Sequence, residues 1–166
     1  MVLKFASDVA LVDHHGRNVS GATFHGRHAL LFFGFTHCRV VCPEALARLS
    51  QTLDVLGEDA DALQALYVSV DPERDTPEVM RVFLEDRYPR FLGLTGSRDQ
   101  IDEMKRTFKV YAERTADPDD PDGYAVPHTA FAYLIGPHGE YVRHFGSAED
   151  AGVVAAKIRS ILHPDS

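Results

Sequence analysis

Ala29-Leu-Leu-Phe-Phe-Gly-Phe-Thr-His-Cys-Arg-Val-Val-Cys-Pro43 joins an apolar run to a pair of cysteines and then to a proline. A short, continuous apolar run such as Ala29–Phe35 suits a strand buried on both faces in the middle of a sheet. Pro43 is favoured at the first position of a helix, and Leu46, Leu49, Leu53 and Leu56 follow at helical spacing, with Gly57 available as a stop. The spacing therefore places both cysteines at a strand-to-helix junction.

Working outward from that junction, Leu66-Tyr-Val-Ser-Val70 reads as a second strand, and Thr76-Pro77 as the cap and first residue of a helix running to about Arg87. Phe91-Leu-Gly-Leu-Thr95 reads as a third strand. Ser97-Arg-Asp-Gln100 is a capping-box pattern, opening a helix with Ile101, Met104 and Phe108 on one face. From 109 to 127 this alternation fails, and the acidic, turn-rich Ala116-Asp-Pro-Asp-Asp-Pro-Asp-Gly123 predicts an exposed loop insertion. Thr129–Ile135 and Glu140–Phe145, joined by Gly136-Pro-His-Gly139, predict a hairpin, and a last helix is expected to begin at Ser147. Ala10–Val19 predicts a small N-terminal hairpin around Gly16.

An early strand–helix unit carrying the cysteines, a crossover region and a closing ββα order predict an α/β, thioredoxin-like fold: a central mixed sheet flanked by helices. The 166 residues fit one domain over 1–166. Lys and Arg number 17 against 25 Asp and Glu, a formal charge of −8. That balance argues against nucleic acid or an anionic membrane as partner, because phosphate binding needs a basic face. The chain carries neither a run of about 18 apolar residues nor a signal-peptide h-region, so it is expected to be soluble.

The only two cysteines, Cys38 and Cys42, are too few to staple a fold. Positions i and i+4 share one helix face, so both sulfurs can converge on one point. Unpaired N–H groups and the positive dipole end at a helix start favour thiolate over thiol, and Arg39 acts in the same direction. Soft thiolates suit Cu(I), whereas a structural zinc would require four protein ligands and no second cysteine pair exists. Copper chemistry and dithiol redox chemistry both remain open on this reading.

The chain resembles the Sco/SenC family of copper proteins through Phe33-Gly-Phe-Thr-His-Cys-Arg-Val-Val-Cys-Pro43, then Val70-Asp-Pro-Glu-Arg-Asp-Thr-Pro77, Gly93-Leu-Thr-Gly96, and Tyr133-Leu134 with Gly139. The resemblance implies a metal site of Cys38, Cys42 and His128 holding Cu(I) or Cu(II), since His128 stands where the family's histidine ligand precedes a strand ending in Tyr-Leu. Two sulfurs and one imidazole make a reasonable trigonal Cu(I) site. It further implies a metallochaperone that helps assemble the dinuclear copper site of cytochrome c oxidase. Its partner would be the copper-site subunit or another copper protein. Such a protein works on the extracytoplasmic face, tethered to the inner membrane by an anchor expected upstream of Met1. Asp71, Arg74 and Asp75 match the family and are expected to position the cysteine loop or a partner, with helix capping or a surface ion pair as the simpler account. His37 and the remaining histidines, in predicted loops or on an outer strand, are assigned no role.

Two residues depart from the family pattern. Arg39 stands where many members have proline, and Val126-Pro127-His128 replaces Val-Asp-His. Loss of that aspartate removes an acceptor that would orient the imidazole, and a proline beside reactive thiols is a feature of thioredoxin-like oxidoreductases. The alternative reading is therefore a thiol-disulfide oxidoreductase, with Cys38 and Cys42 as a catalytic redox pair that reduces a partner copper protein's cysteines. A peroxide-reducing domain, with one cysteine attacking and the other resolving, is a third.

Overall fold

The computed structural model describes residues 5, 8–34, 41–108, 115–117, 120–125, 131–146 and 149–164; of 41–43, 115–117, 120–125 and 131 it describes the backbone alone. The apolar run forms strand β3 (His28–Gly34), the third after β1 (Ala10–Asp13) and β2 (Asn18–Ser20). Helix α1 (Val41–Leu56) leads to β4 (Leu63–Ser69), α2 (Pro77–Arg87), β5 (Phe91–Thr95) and α3 (Arg98–Phe108). Strands β6 (Thr115–Asp117), β7 (Asp120–Ala125), β8 (Phe131–Ile135) and β9 (Tyr141–Gly146) precede α4 (Ala151–Leu162).

Seven strands form one mixed sheet in the order β2-β1-β5-β4-β3-β8-β9, and β6 and β7 form a second, two-stranded sheet. Side chains alternate across β3, so Leu30 and Phe32 enter one core while Ala29, Leu31 and Phe33 enter the other. The first core takes Leu46, Leu49 and Leu53 of α1, Met80 and Leu84 of α2, and Val154 and Ile158 of α4. The second takes Ile101, Met104 and Phe108 of α3 together with Phe5, Leu11 and Phe24. Helices thus cover both faces, which is why β3 carries no polar residue between Ala29 and Gly34. This is the thioredoxin-like mixed sheet that the element order predicts.

Local signals hold closely. Thr76 caps α2, its side chain accepting from Val79 N at 3.3 Å, and Ser97 and Gln100 form the expected reciprocal box. Gly16, with φ +80°, turns the N-terminal hairpin, a conformation in which a Cβ would be strained. Helix α1 ends at Leu56, as the glycine stop predicts, and Gly57 opens a 3-10 turn over Gly57–Ala62. Other expectations need correction. The cap of α4 is Asp150, whose carboxylate accepts from Gly152 N and Val153 N, rather than Ser147, which lies outside the described residues. The loop insertion predicted over 109–127 contains a two-stranded hairpin, with Thr115 opposite Ala125 and Asp117 opposite Asp120. Of the turn-forming residues read there, Ala116 and Asp117 lie in β6 and 120–123 in β7, and backbone pairing closes a local hairpin without the apolar alternation that marks a buried strand.

Asp13, at the end of β1, is fully buried and accepts from the backbone N–H groups of His15 and Arg17 and from Arg17 Nε at 2.8 Å. Burial alone would push its carboxyl up, but those hydrogen bonds and the guanidinium outweigh it and hold the group below the ordinary carboxylate range. A depressed folded value contributes stability above the unfolded value and loses it as pH falls through the folded one. Asp13→Asn is therefore expected to lower stability at pH 7 by about 1–3 kcal/mol, a gap that closes below about pH 4. Urea unfolding of both proteins at pH 7 and pH 3 checks this; an equal gap at the two values would refute it.

Candidate metal centre

Gly34 ends β3 and Val41 begins α1, so Cys38 falls in the six-residue connection 35–40, outside the described residues. Cys42 is the second residue of α1, and Pro43 the third rather than the first. Both sit in the opening turn, where backbone N–H groups have no intrahelical partner and a proline's missing donor is not felt. The sixteen-residue helix α1 supplies the positive dipole end that favours thiolate at this turn.

His128, with Thr129 and the rest of 126–130, also lies outside the described residues, as does His37. The strands to which these segments are bonded are described. β8 runs antiparallel beside β3, with Phe32 opposite Ala132 and Ala29 opposite Ile135. The C-terminal end of β3 is therefore next to the N-terminal end of β8. Cys38 is four residues beyond Gly34 and His128 three before Phe131, so neither is farther than about 3.8 Å per residue from neighbouring strand ends. Gly34 and Phe131, the described residues nearest to Cys38 and His128 on the strands that lead to them, thereby belong to neighbouring strands.

The other flank of β3 is β4, which runs parallel to it, and Val70 N donates to Gly34 O at 2.8 Å. Immediately beyond, Ser69 Oγ donates to Asp75 Oδ2 at 2.7 Å and accepts from Asp71 N at 3.0 Å, while Arg74 Nε reaches Asp71 Oδ2 at 2.5 Å. Asp71, Asp75 and Ser69 are all buried. This corrects the account of Asp71, Arg74 and Asp75 as a cap or a surface ion pair. The cap is Thr76, and the carboxylates are internal groups that brace the turn after β4, against the end of β3. Ser69 was missed in the sequence, although a serine inside the apolar run Leu66–Val70 is the kind of signal that marks a buried hydroxyl with a job.

Phe33, one residue before Gly34, packs against Phe108 and edge-on to Tyr133, with ring centroids 5.6 and 5.9 Å apart. Tyr133 donates its hydroxyl to Phe108 O at 3.2 Å, and burial pushes its phenol pKa up. The strand ends beneath the candidate centre thus rest on a rigid aromatic layer. The C-terminal end of β3 and the N-terminal end of β8 are neighbours in the sheet; two sulfurs and one imidazole would make a donor set suited to Cu(I) and, as a dithiol, to disulfide exchange.

Among proteins of known family, residues 3–163 match the SCO1/SenC family model. The human mitochondrial SCO1 homolog is 37% identical over 157 residues, covering 93% of this chain and 52% of that protein. The chain thus spans about half the length of that curated relative. The crystal structure of Arabidopsis thaliana ScoI with copper bound is similar with a TM-score of 0.89 at 28% identity, over 96% of this chain and 99% of that one. BsSco, a member of the Sco family of cytochrome c oxidase assembly proteins in which a disulfide switch was identified, matches with a TM-score of 0.72 and 26% identity, over 96% of this chain and 95% of that one.

Proposed function

The chain belongs to the SCO1/SenC family, and from that premise we propose that it is a single-domain copper metallochaperone, with Cys38, Cys42 and His128 as the ligands of its cargo ion. The observation that carries the proposal is the β3–β8 pairing, which roots the segments of Cys38 and His128 on adjacent strand ends, beside the opening turn that holds Cys42. Loading releases the two thiol protons, and Cu(I) then passes by ligand exchange to the copper-site subunit of cytochrome c oxidase or another copper protein. Asp71, Ser69 and Asp75 hold the β4 end against Gly34 and so fix where the cysteine connection departs. On this reading the native protein works on the extracytoplasmic side, tethered to the inner membrane; the human relative is mitochondrial. Among the described residues no helix is long and apolar enough to cross a membrane.

A second reading is favoured by the helix-start position of Cys42 and by the disulfide switch of BsSco. One thiolate attacks a partner's disulfide, the second resolves the mixed disulfide, and two electrons and two protons pass to the partner as its cysteines are reduced. That chemistry needs the sulfurs alone. Anaerobic Cu(I) and Cu(II) titration of His128→Ala beside a dithiol potential measurement separates the two. For the metallochaperone, the variant loses more affinity than the roughly 10–100-fold attached to an outer hydrogen-bond partner, with the potential little moved. Tight binding retained for both copper states in His128→Ala would remove His128 from the ligand set.

A further inference from the structure

We propose a second metal site, formed by His14, His15 and Glu85, that takes a divalent first-row ion, Cu(II) in preference to Zn(II). One ligand atom from each of the three residues lies within 4.8 Å of the others, close enough for a single ion to reach all three. His14 is buried while His15 and Glu85 are exposed, so the cluster has a fixed inner donor and two outer ones at the mouth of an open cleft. Two imidazoles and a carboxylate form an N,N,O donor set, for which affinity peaks at copper in the divalent series. The positive groups nearby are drawn elsewhere: Arg17 pairs with Asp13 and Arg90 with Asp54.

The fold explains the clustering. β1 ends at Asp13, opposite Leu94 of β5, and at the next rung Gly93 N donates to His14 Nδ1 at 2.9 Å, the imidazole standing in for a strand carbonyl. Gly93 is also where α2 comes down on the sheet: a Cβ there would lie 2.8 Å from Leu84 Cδ1 and 2.9 Å from Met80 Cε. That close approach brings Glu85, the residue after Leu84, to the two histidines. β1 is three strands from β3, so the cluster stands about three spacings of 4.8 Å across the sheet from the strand that leads to the cysteines. It shares no residue with the site proposed above and does not depend on it.

Metal binding has a specific structural consequence. An ion on Nδ1 takes the lone pair that the Gly93 amide uses, and an ion on Nε2 leaves Nδ1 carrying the ring proton, unable to accept. Whichever nitrogen ligates, the Gly93 hydrogen bond is exchanged for the metal bond. The Gly93 amide therefore reports on His14 as ligand.

The test uses the full chain with Cys38→Ser, Cys42→Ser and His128→Ala, which removes the cargo ligands. Titration with Cu(II), followed by electron paramagnetic resonance, is expected to show one equivalent bound through nitrogen. Adding His15→Gln or Glu85→Gln, both at exposed positions that leave the fold intact by circular dichroism, is expected to weaken binding at least 10-fold. Hydrogen exchange at the Gly93 amide is expected to accelerate on loading. Absence of that equivalent, indifference to both substitutions, or an equally protected Gly93 amide would overturn the site.

Discussion

Cys38→Ser and Cys42→Ser are each expected to abolish tight Cu(I) binding while leaving the apo fold standing. Removing one of three ligands, a thiolate at that, exceeds the roughly 10–100-fold attributed to an outer hydrogen-bond partner, because the soft donor that selects Cu(I) is itself lost. The linkage to stability gives a clean readout. At 100 times its dissociation constant a ligand stabilises the folded state by about 2.7 kcal/mol, and a domain of this size gains about 2–4 °C in Tm per kcal/mol. Wild type should therefore gain roughly 5–11 °C with Cu(I) under those conditions, and either variant should gain almost nothing. A Cu(I)-dependent shift that survives in both single variants would place the ligands elsewhere. The same variants lose disulfide exchange, so the thermal readout is specific to copper, and His128→Ala divides the two chemistries.

Phe33→Ala is expected to be the most damaging substitution in β3. Phe33 is fully buried, and its ring lies against Phe108 of α3 and Tyr133 of β8, so truncation opens a cavity where three elements meet. Cavities of this kind cost about 3–5 kcal/mol, which for this chain length means a Tm lowered by roughly 6–20 °C. Phe33→Leu, which keeps most of the volume, should lose distinctly less. The damage should reach the candidate centre as well, because Gly34 follows directly and its carbonyl accepts from Val70 N. Thermal and urea unfolding of the two variants decides this; a loss for Phe33→Ala no greater than that for Phe33→Leu would contradict the packing argument.

Much of this molecule is legible locally. The strand at Ala29–Phe35 could be read because five consecutive apolar residues leave a strand no solvent face, and β3 indeed divides its side chains between two cores. Thr76-Pro77 and Ser97–Gln100 were readable because a cap is a contract between residues three apart, indifferent to the rest of the fold. The β6–β7 hairpin was not readable, since Asp, Pro and Gly dominate it and its pairing leaves no apolar period. The inner aspartates were misread for a related reason. Asp71 and Asp75 look like surface residues by type, and their burial follows from where the turn after β4 meets Gly34. His14 was assigned to a loop and is buried, its ring completing the β1–β5 ladder through Gly93.

By itself the sequence determined the strand-to-helix junction, the pair of sulfur donors placed there, and the family motifs around it, because each is written within a dozen neighbouring residues. Tertiary structure alone decided that β8 lies beside β3, with Phe32 opposite Ala132, so that the C-terminal end of β3 adjoins the N-terminal end of β8. It alone brought Glu85 to His14 and His15, through the close descent of α2 at Gly93. Contacts between residues this far apart in the chain are set by the order in which strands dock to bury two cores, and no local propensity carries that order.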